Sequence, residues 1–432
     1  MDKQYLRHFF SFLFVVQVSM SIASGLDDPK SDNEFGDSSA KSSFSEKYSL
    51  SLEQRVLDAN IPGIAISVVR ADGSYWAAGY GYADLARRVP MTKDTVMSIA
   101  SVSKTITGTA IIQLVENGKL DLDSSIDGYL PFKVINPNRA DDKITLRHIL
   151  THTSGIVDND AIYASEIVYH FGGDNPVSLE QFLEAYLIPG GQYYSAKNNF
   201  LSTQPGKRFE YGNIAYGLAG LVVESVSEQS FSDFTRQNIL EPLEMNSSGW
   251  LYPEVKHLQI GKQYGREDGD YRDNMVGDSI QGWRAYDRYG LATYPDGGFR
   301  TSVSDLSHFL AAIMNGGSYK GARILEQSVV DEMLMPQEFY GGRPPGFYDE
   351  YNGGSQALAF AHQVIESNGL HFTTIGHTGG DPGTITFMGF DPERKIGVII
   401  FINSDETKQS DDLYESLIGE LFSNHDKFLS KN

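Results

Sequence analysis

Cysteine is absent from the 432 residues. That excludes disulfides, lipid-modified cysteine and a thiol nucleophile. Positive charge is scarce: 35 Lys and Arg stand against 56 Asp and Glu, a formal net charge of −21. Nucleic acid and anionic membrane surfaces need a basic footprint, so neither is expected as a partner, and the charge itself favours solubility. Long apolar runs are missing beyond residue 25, with none approaching the roughly 18 residues that read as a membrane span. What is present is core-forming material. Hydrophobic residues make up 41% of the chain and aromatics 12%, as in a globular protein with a sizeable core. The length suits one large domain or two ordinary ones.

Lys3, Arg7 and His8 precede the apolar run FFSFLFVVQV, and small residues follow at Ser21, Ala23, Ser24 and Gly25. This order reads as a secretory signal peptide over residues 1–25, its apolar core of about ten residues being too short to span a bilayer. Export is therefore expected, to the periplasm or the medium, with no stable membrane span after cleavage. Residues 26–48 are polar and rich in Ser and Asp, and read as a disordered tether. The folded domain is expected over 49–425. GIAISVVRADGSYWAAGYGYAD carries two β-rich runs around Asp72-Gly73, a hairpin. A helix is expected from Ser101 to Asn117, closed by Gly118. Residues 120–294 are mostly helical segments and long polar loops, followed by a capped helix starting near Ser302 or Ser304. Three C-terminal strands and a closing helix over about 411–422 complete the chain. The expected fold class is α/β of the α+β type. One antiparallel sheet is built from N- and C-terminal strands (about 49–119 and 295–425) and flanked by helices, with an inserted, mainly helical subdomain over about 120–294.

Ser101 and Lys104 stand one helical turn apart, so a serine nucleophile and a lysine base would share a face. The base works only if its pKa falls, and the apolar residues that follow, TITGTAIIQLV, supply desolvation. The same spacing recurs at Ser38 and Lys41, but in the solvated tether. Tyr211 and Asn213 form a Tyr-x-Asn turn before a helix. The phenol, its pKa lowered by the neighbouring lysine, would shuttle the proton, and Asn213 would orient Lys104 and a substrate amide. A core tyrosine and a capping asparagine are the plain alternatives. GHTGGDPG sets His377, Thr378, Gly379 and Gly380 at a strand end, where glycines admit a substrate backbone and free N–H groups face an oxyanion. A glycine-rich turn with an exposed histidine is the alternative there. His148 and His152 lie four apart but lack the glutamate and third ligand of a zinc helix, so no metal is expected.

The ordered set Ser-x-x-Lys, Tyr-x-Asn and His-Thr-Gly, with flanks such as ITLRHILTHTSGI and DGGFRTSVSDLSHFL, resembles the active-site serine β-lactamase and penicillin-binding-protein superfamily. The likeness runs over roughly residues 50–423 and is nearest to the branch of class C β-lactamases, D-aminopeptidases, DD-carboxypeptidases and esterases. It implies that Ser101 forms an acyl-enzyme, that Lys104 and Tyr211 share the proton work, and that Asn213, His377, Thr378 and Gly379 orient the substrate. It also implies an oxyanion hole made by the backbone N–H groups of Ser101 and Gly380, with no cofactor. A small ester, a D-amino-acid-containing peptide or a peptidoglycan-derived compound is the implied substrate. His377 replaces the lysine of Lys-Thr-Gly, and a histidine of ordinary pKa is mostly neutral at pH 7. β-Lactamase or DD-carboxypeptidase activity is therefore the second expectation, behind ester or D-peptide hydrolysis, and a catalytically silent binding protein the third. No glutamate-bearing loop of the class A kind is recognisable, so deacylation would rest on Tyr211 and Lys104. Residues 341–369 also lack the aromatic Gly-Leu-Gly-Trp pattern common in this branch.

Overall fold

The computed structural model describes residues 44–269, 271–337, 355–367 and 370–429. The expected signal peptide, most of the tether including Ser38 and Lys41, and residues 341–354 lie outside them.

Helix α1 (Phe44–Asp58) leads into the hairpin of β1 (Gly63–Arg70) and β2 (Tyr75–Asp84), followed by the short β3 (Val89–Pro90). Residues 44–48, assigned to the tether, are thus helical. Their aromatics explain it: Tyr48 packs edge-on against Trp76 and Phe428, and Phe44 against Phe428. Next comes helix α2 (Ser103–Glu116), stopped at Gly118, whose φ of +67° is a conformation glycine adopts without strain.

The segment over 120–294 is less helical than expected. Its main helix, α3 (Asn213–Ser227), is followed by a three-stranded sheet of β4 (Tyr264–Arg266), β5 (Met275–Ile280) and β6 (Trp283–Tyr286). That stretch reads as loop from the sequence because its strands are short and set among polar residues. The cue lies in Gln281-Gly282, with φ of +56° and +84°, the two positive values of a tight hairpin turn between the paired Ile280 and Trp283.

Helix α4 (Val303–Met314) starts where Ser302 accepts a hydrogen bond from the Asp305 backbone N–H. The C-terminal strands are β7 (Ser355–Gln356), β8 (Ala361–Ser367), β9 (Leu370–Asp381), β10 (Thr384–Asp391) and β11 (Ile396–Ile402), before helices α5 (Lys408–Ser423) and α6 (His425–Leu429). Among the described residues the main sheet runs β7-β8-β9-β10-β11-β1-β2-β3, antiparallel throughout. The last long strand therefore closes on the first, Ile64 facing Ile402. Alternation divides the strands. Ile64, Ile66 and Val68 of β1 pack outward with Leu413, Leu417 and Leu421 of α5. Ala65 and Val69 face inward toward the core shared with α2, α3 and α4.

Candidate active site

Ser101 sits in a tight turn over Ala100–Val102 that runs straight into α2. The turn is strained at Ala100, a non-glycine residue at φ +47°. Its neighbours pin it: Ile99 N–H donates to the Phe299 carbonyl, and Thr386 Oγ1 donates to the Ile99 carbonyl at 2.8 Å. Gly379 of β9 lies against the same turn. A Cβ there would stand 2.5 Å from the Ile99 oxygen and 2.4 Å from Thr386 Oγ1, so no side chain fits and the strand backbone comes alongside the serine.

Lys104, one turn on, is fully buried. Its Nζ lies 3.0 Å from Ser101 Oγ, 2.6 Å from Asn213 Oδ1 and 2.9 Å from the Asp296 carbonyl. Burial lowers its pKa to about 8, against the opposing pull of Asp296, Asp158 and Asp381. Thr107 Oγ1 donates to the Pro295 carbonyl at 2.6 Å, holding α2 to the turn that presents Asp296.

Asn213 opens α3, and its orientation is set by a residue that sequence reasoning missed. Asp158 accepts from Asn213 Nδ2 at 2.9 Å and from the backbone N–H groups of Asn213 and Ile214. With Nδ2 committed to the carboxylate, Asn213 Oδ1 faces Lys104. Capping from a distant loop leaves no local signature; Asp158 stands out only as an acid near HTSG.

Tyr211 hydrogen-bonds Ser101, and its ring lies 4.9 Å from Lys104 Nζ. Its pKa moves opposite to expectation. Burial, abetted by Asp296, Asp158 and Asp381, raises it well above the ordinary phenol, and the bond to Ser101 offsets this only in part. Tyr211 is a neutral hydroxyl at physiological pH. His152, considered from the sequence only as a metal ligand beside His148, stacks on it with ring centroids 4.2 Å apart and accepts from Gly212 N–H at Nδ1. His148 instead closes a capping box at helix Leu146–Leu150. Among the described residues no group of three or more His, Cys, Asp or Glu could hold a metal ion.

His377 is buried rather than exposed, its ring 6.3 Å from Tyr211. Burial, with Lys104 beside it, lowers its pKa to about 4, so it is uncharged at pH 7. Its Nδ1–H donates to the Thr378 carbonyl, which leaves Nε2 an acceptor. Thr378 is exposed, while Gly380 is half-buried and pairs with Ile385. The structure thus brings Ser101, Lys104, Tyr211, Asn213, His377 and Gly379 into one place, with Gly380 and Thr378 along its edge.

A family model described as Beta-lactamase matches residues 51–421. The chain belongs to that family. Among solved structures, the octameric penicillin-binding protein homologue from Pyrococcus abyssi is similar at 26% identity, with a TM-score of 0.66 over 89% of this chain and 79% of that one. The D-amino acid amidase from Ochrobactrum anthropi SV3 shares the fold at 20% identity, with a TM-score of 0.65 over 88% of this chain and 99% of that one. Protein flp of Staphylococcus aureus is 24% identical over 356 residues, 82% of this chain. The match spans 61% of flp's own length. In this member of the β-lactamase family, the geometry is that of a hydroxyl one hydrogen bond from a desolvated amine.

Proposed function

We propose that the protein is an exported serine hydrolase that cleaves small esters or D-amino-acid-containing peptides through an acyl-enzyme on Ser101. The observation that carries this reading is Lys104 Nζ, buried and 3.0 Å from Ser101 Oγ. Once deprotonated, Lys104 keeps two N–H groups for Asn213 Oδ1 and the Asp296 carbonyl, and its lone pair is left facing the serine.

In acylation the Ser101 proton passes to Lys104 while Oγ bonds to the substrate carbonyl carbon. The developing oxyanion lies against the backbone N–H groups of Ser101 and Gly380. Tyr211, neutral because its pKa is raised, gives its proton to the leaving group and is reprotonated from Lys104. In deacylation water loses a proton to the same pair, its oxygen bonds to the acyl carbon, and Ser101 Oγ leaves with a proton. Export rests on the amino-terminal pattern of Lys3 and Arg7 ahead of an apolar run. Among the described residues no helix is long and apolar enough to cross a membrane.

The test is labelling by a fluorophosphonate alongside turnover of p-nitrophenyl esters, D-alanyl anilide, a D-Ala-D-Ala peptide and a chromogenic cephalosporin. Ser101→Ala abolishes both labelling and turnover; labelling that persists in the variant removes the reading. With His377 uncharged, a substrate carboxylate gains no ion pair there, so the cephalosporin is turned over more slowly than the esters. A cephalosporin rate equal to the ester rate, raised further by His377→Lys, would favour a β-lactamase or DD-carboxypeptidase instead.

A further inference from the structure

Three carboxylates surround Lys104, and they are not alike. Asp158 is satisfied by three N–H donors at the start of α3. Asp296 and Asp381 have hydroxyls only. Asp296 Oδ2 accepts from Tyr163 at 3.0 Å and Thr293 at 2.9 Å, while its Oδ1 has no partner among the described residues. Asp381 Oδ1 accepts from Tyr169 at 2.8 Å, and its Oδ2 receives no hydrogen bond among the described residues. Neither makes an ion pair among the described residues. Arg300 is the nearest fixed cation besides Lys104, but its guanidinium is spent on the carbonyls of Trp250, Gly298 and Tyr289.

The position of Asp381 turns this imbalance into a site. It directly follows Gly380 on β9 and is only 7% exposed. A Cβ on Gly297 would lie 3.5 Å from Asp381 Oδ2 and 3.8 Å from the carbonyl carbon of Ala100, the residue before the nucleophile. The bare oxygen therefore lies across Gly297 from the serine turn, with Leu291 Cδ1 3.2 Å from the same point. Tyr169 and Tyr289, 5.7 Å apart, stand next to it and add aromatic faces that attract cations. A buried carboxylate is stable when a cation pairs with it, and among the described residues Lys104 and Arg300 act on Asp381 only from a distance, without an ion pair.

We infer that Asp381 anchors a protonated amino group on the acyl part of the substrate, with Asp296 deepening the negative field behind it. This rests on the hydrolase reading above and narrows it to acyl groups bearing a free amine. Burial holds Asp381 up to about 7 and Asp296 up to about 8, and an arriving ammonium would favour their charged forms. The neutral His377 fits the same picture, since the site then selects positive rather than negative substrates.

The experiment compares kcat/KM for D-alanyl p-nitroanilide with that for its N-acetyl counterpart. In the wild type the free amine is preferred by about tenfold or more, and Asp381→Asn cuts that ratio by about tenfold, chiefly through KM, the scale of a close charge pair. A wild-type ratio at or below one overturns the inference. So does an Asp381→Asn variant that slows both substrates in equal proportion, which would assign Asp381 to the electrostatics of Lys104 alone. A second measurement needs no variant: D-alaninamide shields Ser101 from the fluorophosphonate better than N-acetyl-D-alaninamide, and equal shielding refutes the anchor. Failure of the wild type to label at all would remove the hydrolase reading itself, a different result from labelling without amine preference.

Discussion

The two faces of the main sheet are built from the same strands and do opposite things. On the outer face, Ile64, Ile66, Val68, Ile396, Val398, Ile400 and Ile402 meet Leu52, Val56, Leu417 and Leu421. Its titratable members are tyrosines alone, Tyr80 with Tyr48 and Tyr414 packed beside it, and burial there is stabilising at about 25 cal/mol per Å². On the inner side the apolar core is interrupted by Lys104, Asn213, His377, Asp296 and Asp381, all buried, each of which must find partners or shift its pKa. One face supplies the stability that the other uses to hold an amine and carboxylates out of water.

This contrast is open to attack by substitution. Ser101→Ala should abolish turnover, a loss on the order of 10⁴-fold, because nucleophile and base act as a unit. Its melting temperature should not fall, and a large drop would mean that the serine turn is structural. Lys104→Met should slow turnover by about 10³-fold, yet leave the protein as stable or more so, because an apolar residue of similar size replaces a buried amine. Thermal unfolding of that variant several degrees below wild type would reverse the assignment of the inner face. Leu417→Ala on the outer face should do the reverse, destabilising by about 2–5 kcal/mol with kcat per folded molecule unchanged; denaturant unfolding and active-site titration together decide it. The gentlest probe is pH. The deprotonated amine is the working form of Lys104, so kcat/KM should climb as pH rises and level off above about 8, where burial has placed its pKa. A rate that falls over that range would take the base role away from Lys104.

What the sequence disclosed and what it hid follow from the range of each interaction. The Ser101–Lys104 spacing, the β1–β2 hairpin around Asp72-Gly73 and the Ser302 cap depend on neighbours within a few residues, and each is present in the fold. The order of Tyr211-Gly-Asn213 and His377-Thr-Gly379 pointed to the rest of the site. Asp158, Asp296, Asp381 and His152 gave no such cue, because their partners stand far away in the chain: Asp158 to Asn213, Asp381 to Tyr169, His152 to Tyr211. The direction of the Tyr211 pKa was misjudged for the same reason. A cation beside a phenol lowers it, but desolvation and three distant carboxylates, unseen in the local sequence, raise it further. The helical start at Phe44 was hidden by the polar residues around it, while its aromatics find Trp76 and Phe428 only in the fold.

The pairing of β1 with β11 carries a last consequence, for timing rather than chemistry. The serine turn belongs to the first third of the chain, whereas Gly379, Thr386 and the strand that closes the sheet belong to its final quarter. Contacts of such long sequence separation form slowly, so the amine and the nucleophile exist long before the strand that completes their surroundings. A chain whose last strands have not yet docked carries the nucleophile and the amine but not their finished surroundings. The site is complete only when the last strands arrive, so the chain is kept silent until it has folded.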